Sequence, residues 1–154
     1  MDAKDAEHLE HAIDLARRAR ERGDQPFGAV IVAADGTTVE GMNSTVTDGD
    51  PTGHAETNVV RAAASAVGLD ALKTAVLYAS TEPCAMCAGA VYWAGIPRLV
   101  YALGAAELNA MELGDEPTLD FPSREVLARG GRPVVIDGPA DLPAARAVHE
   151  GFWN

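Results

Sequence analysis

The sequence predicts an α/β fold, one three-layer domain over residues 1–154 in which a mixed sheet carries helices on both faces. Three observations predict it. Helical and strand patterns alternate along the chain, and such alternation implies a sheet covered on both sides, with right-handed crossovers where strands run parallel. The 154 residues are 47% hydrophobic and 23% charged, enough for a real core and outside the range of disorder. No repeat, linker or low-complexity tract divides them.

From Ala6 to Arg22, Leu9, Ala12, Ile13, Ala16 and Ala19 recur at helical spacing, with Asp5, Glu7, Glu10, Asp14, Arg17, Arg18 and Glu21 opposite. This is an amphipathic helix ending at Gly23. Phe27 to Ala33 is a short apolar run, Asp35-Gly36 a hairpin signal, and Thr37 to Met42 a returning strand. A turn-rich loop from Asn43 to Gly53 leads to a buried helix from His54 to Val67. Ala75 to Ala79 reads as a core strand. Pro83 suits the first turn of a helix that runs to Ala94 and stops at Gly95. Leu99 to Leu103 is another strand, Ser123 to Arg129 a helix, Arg132 to Asp137 the last strand, and Leu142 to Phe152 the final helix. Between Glu107 and Phe121 no element is assigned.

Composition removes several functions. Twelve Lys and Arg against 23 Asp and Glu give a net charge of −11, which repels nucleic acid and anionic membranes. No apolar run spans a bilayer and the first ten residues lack a signal peptide's apolar stretch, so a soluble, cytoplasmic protein is expected. Only two cysteines occur, Cys84 and Cys87, so there is no disulfide scaffold. Their spacing suggests a metal site or a redox pair.

Other residues bear on that choice. His54, Cys84 and Cys87 each stand at the start of a predicted helix. Positions i and i+3 share a helix face, so both sulfurs can reach one ion while His54 arrives from the preceding helix. Two thiolates and an imidazole suit zinc, and three protein ligands leave a fourth position for water, as catalytic sites do. Two helix N-termini aimed at the ion would stabilise the anions around it. Glu56, two residues past His54, could stand beside the water without ligating the metal and move its protons.

His54-Ala55-Glu56 with Pro83-Cys84-Ala85-Met86-Cys87 resembles the zinc-dependent cytidine deaminase superfamily, whose signature is a known one. Pro26-Phe27-Gly28-Ala29-Val30, Asn43, Asp50-Pro51-Thr52, Thr81-Glu82-Pro83 and Gly89-Ala90-Val91-Tyr92-Trp93 extend the likeness toward guanine deaminases, fungal-type cytosine deaminases and tRNA adenosine deaminases. The resemblance implies a sheet of about five strands, one zinc per subunit at the second and third helix N-termini, and hydrolysis of an exocyclic amine with Glu56 as proton shuttle. It further implies Asn43 and backbone N–H groups around Ala55 and Cys84 as polar substrate contacts. Phe27 and Trp93 are expected as pocket walls, Phe152 and Trp153 near the substrate on a closing C-terminal segment, and a homodimer that sometimes exchanges that segment. Each has a plainer alternative: Asn43 as a chain-turning residue, Phe27 and Trp93 as core, and the C-terminal aromatics as anchors.

Residues 23–98 hold only Arg61, Lys73 and Arg98 as cations against eight acids, too few to neutralise a tRNA backbone. A free base or nucleoside is expected, guanine first, with Asp115 the leading acid for its amidine edge in the stretch Glu112 to Glu116. Cytosine or a nucleoside is the second substrate reading, and tRNA adenosine a weaker one. A zinc-stabilised binding module without turnover is the alternative of another class.

Overall fold

The computed structural model describes residues 1–153. Helix α1 (Ala3–Glu21) is followed by strands β1 (Gly28–Val32) and β2 (Thr38–Met42), then α2 (Ala55–Val67), α3 (Leu69–Leu72), β3 (Val76–Thr81) and α4 (Ala85–Ala94). After β4 (Arg98–Leu103) come α5 (Ala105–Asn109), α6 (Ser123–Ala128), β5 (Val135–Asp137) and α7 (Pro143–Ala147). The five strands form one sheet in the order β2-β1-β3-β4-β5. β1 runs antiparallel to both β2 and β3, whereas β3, β4 and β5 are parallel, so the sheet is mixed as expected.

Both faces of the central strands are buried, which is why those strands read as unbroken apolar runs rather than alternating ones. Ala29, Ile31, Leu77, Ala79, Leu99 and Tyr101 face α2, α4 and α6, meeting Val59, Ala63, Val91 and Leu127. The intervening Val30, Tyr78, Val100 and Ala102 face the other way, onto Leu9, Ile13 and Leu15 of α1 and Ala145 of α7. Gly28 lets α1 lie against β1, since a Cβ there would come within 2.2 Å of the Ala12 carbonyl oxygen.

Several expectations need correction. α1 starts a turn early because Asp2 caps it and Asp5 answers in a reciprocal capping box. Asp5 is also not on the solvent face. Only 3% exposed, it takes two hydrogen bonds from Arg98 at 2.8 and 2.9 Å and one from the Tyr78 hydroxyl at 2.8 Å. Arg98 holds its carboxyl well below the usual carboxylate range. Pro83 stands ahead of α4 rather than within its first turn, because Cys84 is the N-cap. β5 keeps only three residues: the Arg132 side chain donates to the Val91, Tyr92 and Ile96 carbonyls instead, and Pro133 has no N–H to pair. The final helix ends at Ala147, and turns carry the chain on to Phe152. Among the described residues no helix is long and apolar enough to cross a membrane.

Candidate metal centre and active site

His54 and Cys84 are each the N-cap of a helix, α2 and α4, in extended backbone conformation at φ −77°, ψ 148° and φ −67°, ψ 174°. Neither side chain caps its own helix, so both turn outward with the first-turn N–H groups behind them. Cys87 is the third residue of α4 and fully buried. The three donor atoms lie within 4.8 Å of one another. From His54 Nδ1 it is 3.5 Å to Cys84 Sγ and 3.6 Å to Cys87 Sγ. A tetrahedral zinc with bonds of about 2.3 Å to sulfur and about 2.05 Å to nitrogen sets those donors about 3.5 Å apart. The residues therefore fit the ion.

The electrostatics agree with the geometry. The Cys84 thiol is lowered to about 4, first because Cys87 donates to it and then because His54 does. Cys87 is pushed up by the same partnership and by burial, and His54 is raised by its bond to Cys84. A divalent cation would replace these shared protons. Thr57 Oγ1 lies 3.3 Å from Cys87 Sγ. Glu56 is 6% exposed and sits one residue into α2, outside the three-donor cluster. Burial, and next the Cys84 charge, push its carboxyl up to about 7.

A cavity of about 600 Å³ opens over these groups. His54, Glu56 and Cys84 line it together with Phe27, Asn43 and Trp153. Among the described residues no Lys or Arg lines it. Asn43 is 1% exposed, its Oδ1 accepting from Thr45 N at 3.1 Å and Thr45 Oγ1 at 3.0 Å, its Nδ2 donating to Gln25 at 3.4 Å. It thus turns the chain and lines the cavity at once. Buried Asp24 fastens this loop by accepting from Val46 N at 3.0 Å and Thr47 N at 2.9 Å, and Arg22 joins it to the Asn43 carbonyl at 2.8 Å.

Other expected residues fall elsewhere. Trp93 is 85% exposed and lies outside the cavity. The reason is helical phase: nine residues past Cys84 is about half a revolution around the axis and about 13 Å along it. Asp115 is exposed and does not line the cavity, whereas its neighbours Leu113 and Glu116 do. Phe152 packs edge-on against Trp153 at 4.8 Å, under the Arg20 guanidinium, and forms no part of the lining. Ala55 is wholly buried in the core at the first turn of α2. Trp153 closes the cavity of its own chain.

Among the lining residues, sequence reasoning missed Gln25, Glu82, Leu108 and Phe121. Glu82 accepts from Ala105 N at 3.2 Å and from Ser123 N and Oγ at 3.0 and 3.1 Å, pinning both ends of the segment that forms the outer wall. Nothing local marks such a residue; only its place beside Pro83-Cys84 hinted at a role.

The family model for the cytidine and deoxycytidylate deaminase zinc-binding region matches residues 2–103. The chain belongs to the zinc-dependent cytidine deaminase superfamily. Among the relatives of this deaminase, a probable cytosine deaminase of Schizosaccharomyces pombe is 37% identical, over 100% of the chain and 95% of the relative. A guanine deaminase of Bacillus subtilis is 39% identical over 76% and 78%. A tRNA-specific adenosine deaminase of Agrobacterium fabrum is 39% identical over 94% and 91%. The structure of guanine deaminase from Nitrosomonas europaea superposes with a TM-score of 0.78 at 25% identity, covering 99% of this deaminase and 85% of that chain. The fold and the hydrolytic, zinc-dependent aminohydrolase class expected from the sequence both stand.

Proposed function

We propose that the protein hydrolyses the exocyclic amine of a small, uncharged aminated heterocycle, guanine first, releasing xanthine and ammonia. The observation that carries this reading is a buried carboxyl, Glu56, facing a cavity lined by His54 and Cys84 and, among the described residues, by no Lys or Arg. His54, Cys84 and Cys87 would hold the zinc, which when bound supplies a Lewis acid that makes water nucleophilic near neutral pH. Glu56, its carboxyl raised by burial, accepts one proton from water and delivers it to the ring nitrogen, then takes the proton of the new C–OH group and delivers it to the departing amine, leaving a carbonyl and ammonia. Asn43 and the backbone N–H of Cys84 take the polar edge of the base, and Phe27 and Trp153 take its faces.

Guanine is supported by the Bacillus relative and by the Nitrosomonas structure; cytosine is supported by the fission-yeast relative, which matches the whole chain. A tRNA or nucleotide substrate is disfavoured because no Lys or Arg among the described residues lines the cavity to meet a phosphate. The reading extends to the cytoplasm, where thiol ligands stay reduced, and to a homodimer, for which the exposed Trp93 and partly exposed Met86 on α4 speak.

Ammonia release from guanine, cytosine, adenine and their nucleosides tests the proposal. Guanine is expected to be fastest, with turnover reduced about a thousandfold by Glu56→Ala while zinc content is unchanged. Cytosine turnover without guanine turnover would move the assignment to the second reading. Full activity of Glu56→Ala would overturn the shuttle.

A further inference from the structure

His149 is 1% exposed, yet the chemistry described above makes no use of it. Its Nδ1 accepts from Trp153 Nε1 at 3.2 Å, and its Nε2 lies 3.3 Å from Thr81 Oγ1. An indole N–H only donates, so Nδ1 must be unprotonated and the ring proton sits on Nε2, toward Thr81. Burial, with the Arg20 charge nearby, keeps His149 neutral by lowering it to about 4.

Three elements hold this imidazole. Arg20 of α1 donates to the carbonyls on either side of it, Val148 at 2.8 Å and Glu150 at 2.6 Å. Thr81 ends β3, three residues before Cys84, so the histidine is referenced to the strand that delivers a metal ligand. Phe27 meets it edge-on at 5.3 Å. The indole lies nearly parallel to the imidazole, 11° between planes. The Trp153 backbone is closely approached as well, since a Cβ at Gly114 would fall 2.5 Å from the Trp153 carbonyl oxygen.

We propose that His149 is a positioning residue for substrate binding: the Thr81–His149–Trp153 hydrogen bonds hold the indole at the angle at which the heterocycle stacks on it. The proposal rests on the cavity being the substrate pocket. It concerns binding, and leaves the metal and the Glu56 carboxyl untouched. A segment of turns without such anchors is free to swing, and an indole that must be ordered on binding weakens affinity.

The test uses the full chain with Trp93→Phe, which removes an exposed indole outside the cavity and leaves Trp153 as the sole tryptophan, read by selective excitation at its red edge. His149→Leu is expected to raise KM about tenfold with kcat changed less than about twofold, to shift Trp153 emission to longer wavelength, and to leave zinc content unaltered. His149→Asn, whose Oδ1 stands where Nδ1 stood but which has no atom in place of Nε2, is expected to bring emission back and KM to within about threefold of the parent. Should His149→Leu fail to fold, Thr81→Val removes only the second hydrogen bond and is expected to raise KM about threefold. An unchanged KM despite shifted emission, or a loss confined to kcat, overturns the proposal. Absence of turnover in the unaltered protein would instead overturn the deaminase reading. Affinity for guanine, read by quenching of Trp153, would then still decide the role of His149: equal affinity in His149→Leu and parent overturns it, and a loss rescued by His149→Asn upholds it.

Discussion

His54, Cys84 and Cys87 stand on the first turns of α2 and α4, whose bodies are buried against the sheet, whereas Leu108, Leu113, Glu116 and Phe121 hang on a segment whose only regular structure is the five-residue α5. The first region is held by core packing. The second is held by Glu82 at both of its ends. In the proposed reading, reaction chemistry sits where the backbone is over-determined, and choice of substrate where a few hydrogen bonds decide the shape.

The largest effect is expected at the metal corner. Cys87→Ser replaces a buried thiolate ligand by a poor one, and zinc affinity, measured by chelator competition, should fall at least about a hundredfold. Retention of full affinity would show that the corner tolerates the exchange and that the contrast between the regions is false.

Glu82→Gln probes the other region. The amide nitrogen cannot accept from Ser123 N, so one end of the outer wall loosens, and KM for the preferred base should rise about fivefold while zinc content and kcat hold. A fall in zinc content equal to that of Cys87→Ser would mean the two regions are one mechanical unit. The smallest effect belongs to Asp115→Asn. This exposed side chain lies outside the cavity, so KM and kcat should stay within about twofold; a larger loss would place it against the substrate in the working enzyme.

The same contrast divides what could be read from the chain. His54-Ala55-Glu56 and Cys84-x-x-Cys87 are legible because each is a local device: a cap residue and its i+2 or i+3 neighbour occupy a fixed relation once a helix begins there. Trp93 falls outside the cavity because it lies on the same helix but half a turn out of phase with Cys84. Charge points to Asp115, while Leu113 and Glu116 beside it enter the cavity through turns that no periodicity announces.

By itself the sequence determined the strand and helix alternation, the anionic surface and the set of donors for one ion, since these depend on side-chain type and short spacing. Tertiary structure alone decided that Asp5 is buried against Arg98, that Glu82 clasps Ala105 and Ser123, 23 and 41 residues away, and that His149 reaches back to Thr81, 68 residues away. Such pairings arise from how the sheet brings distant segments together, and a contact's energy carries no trace of itself in the residues that lie between its partners.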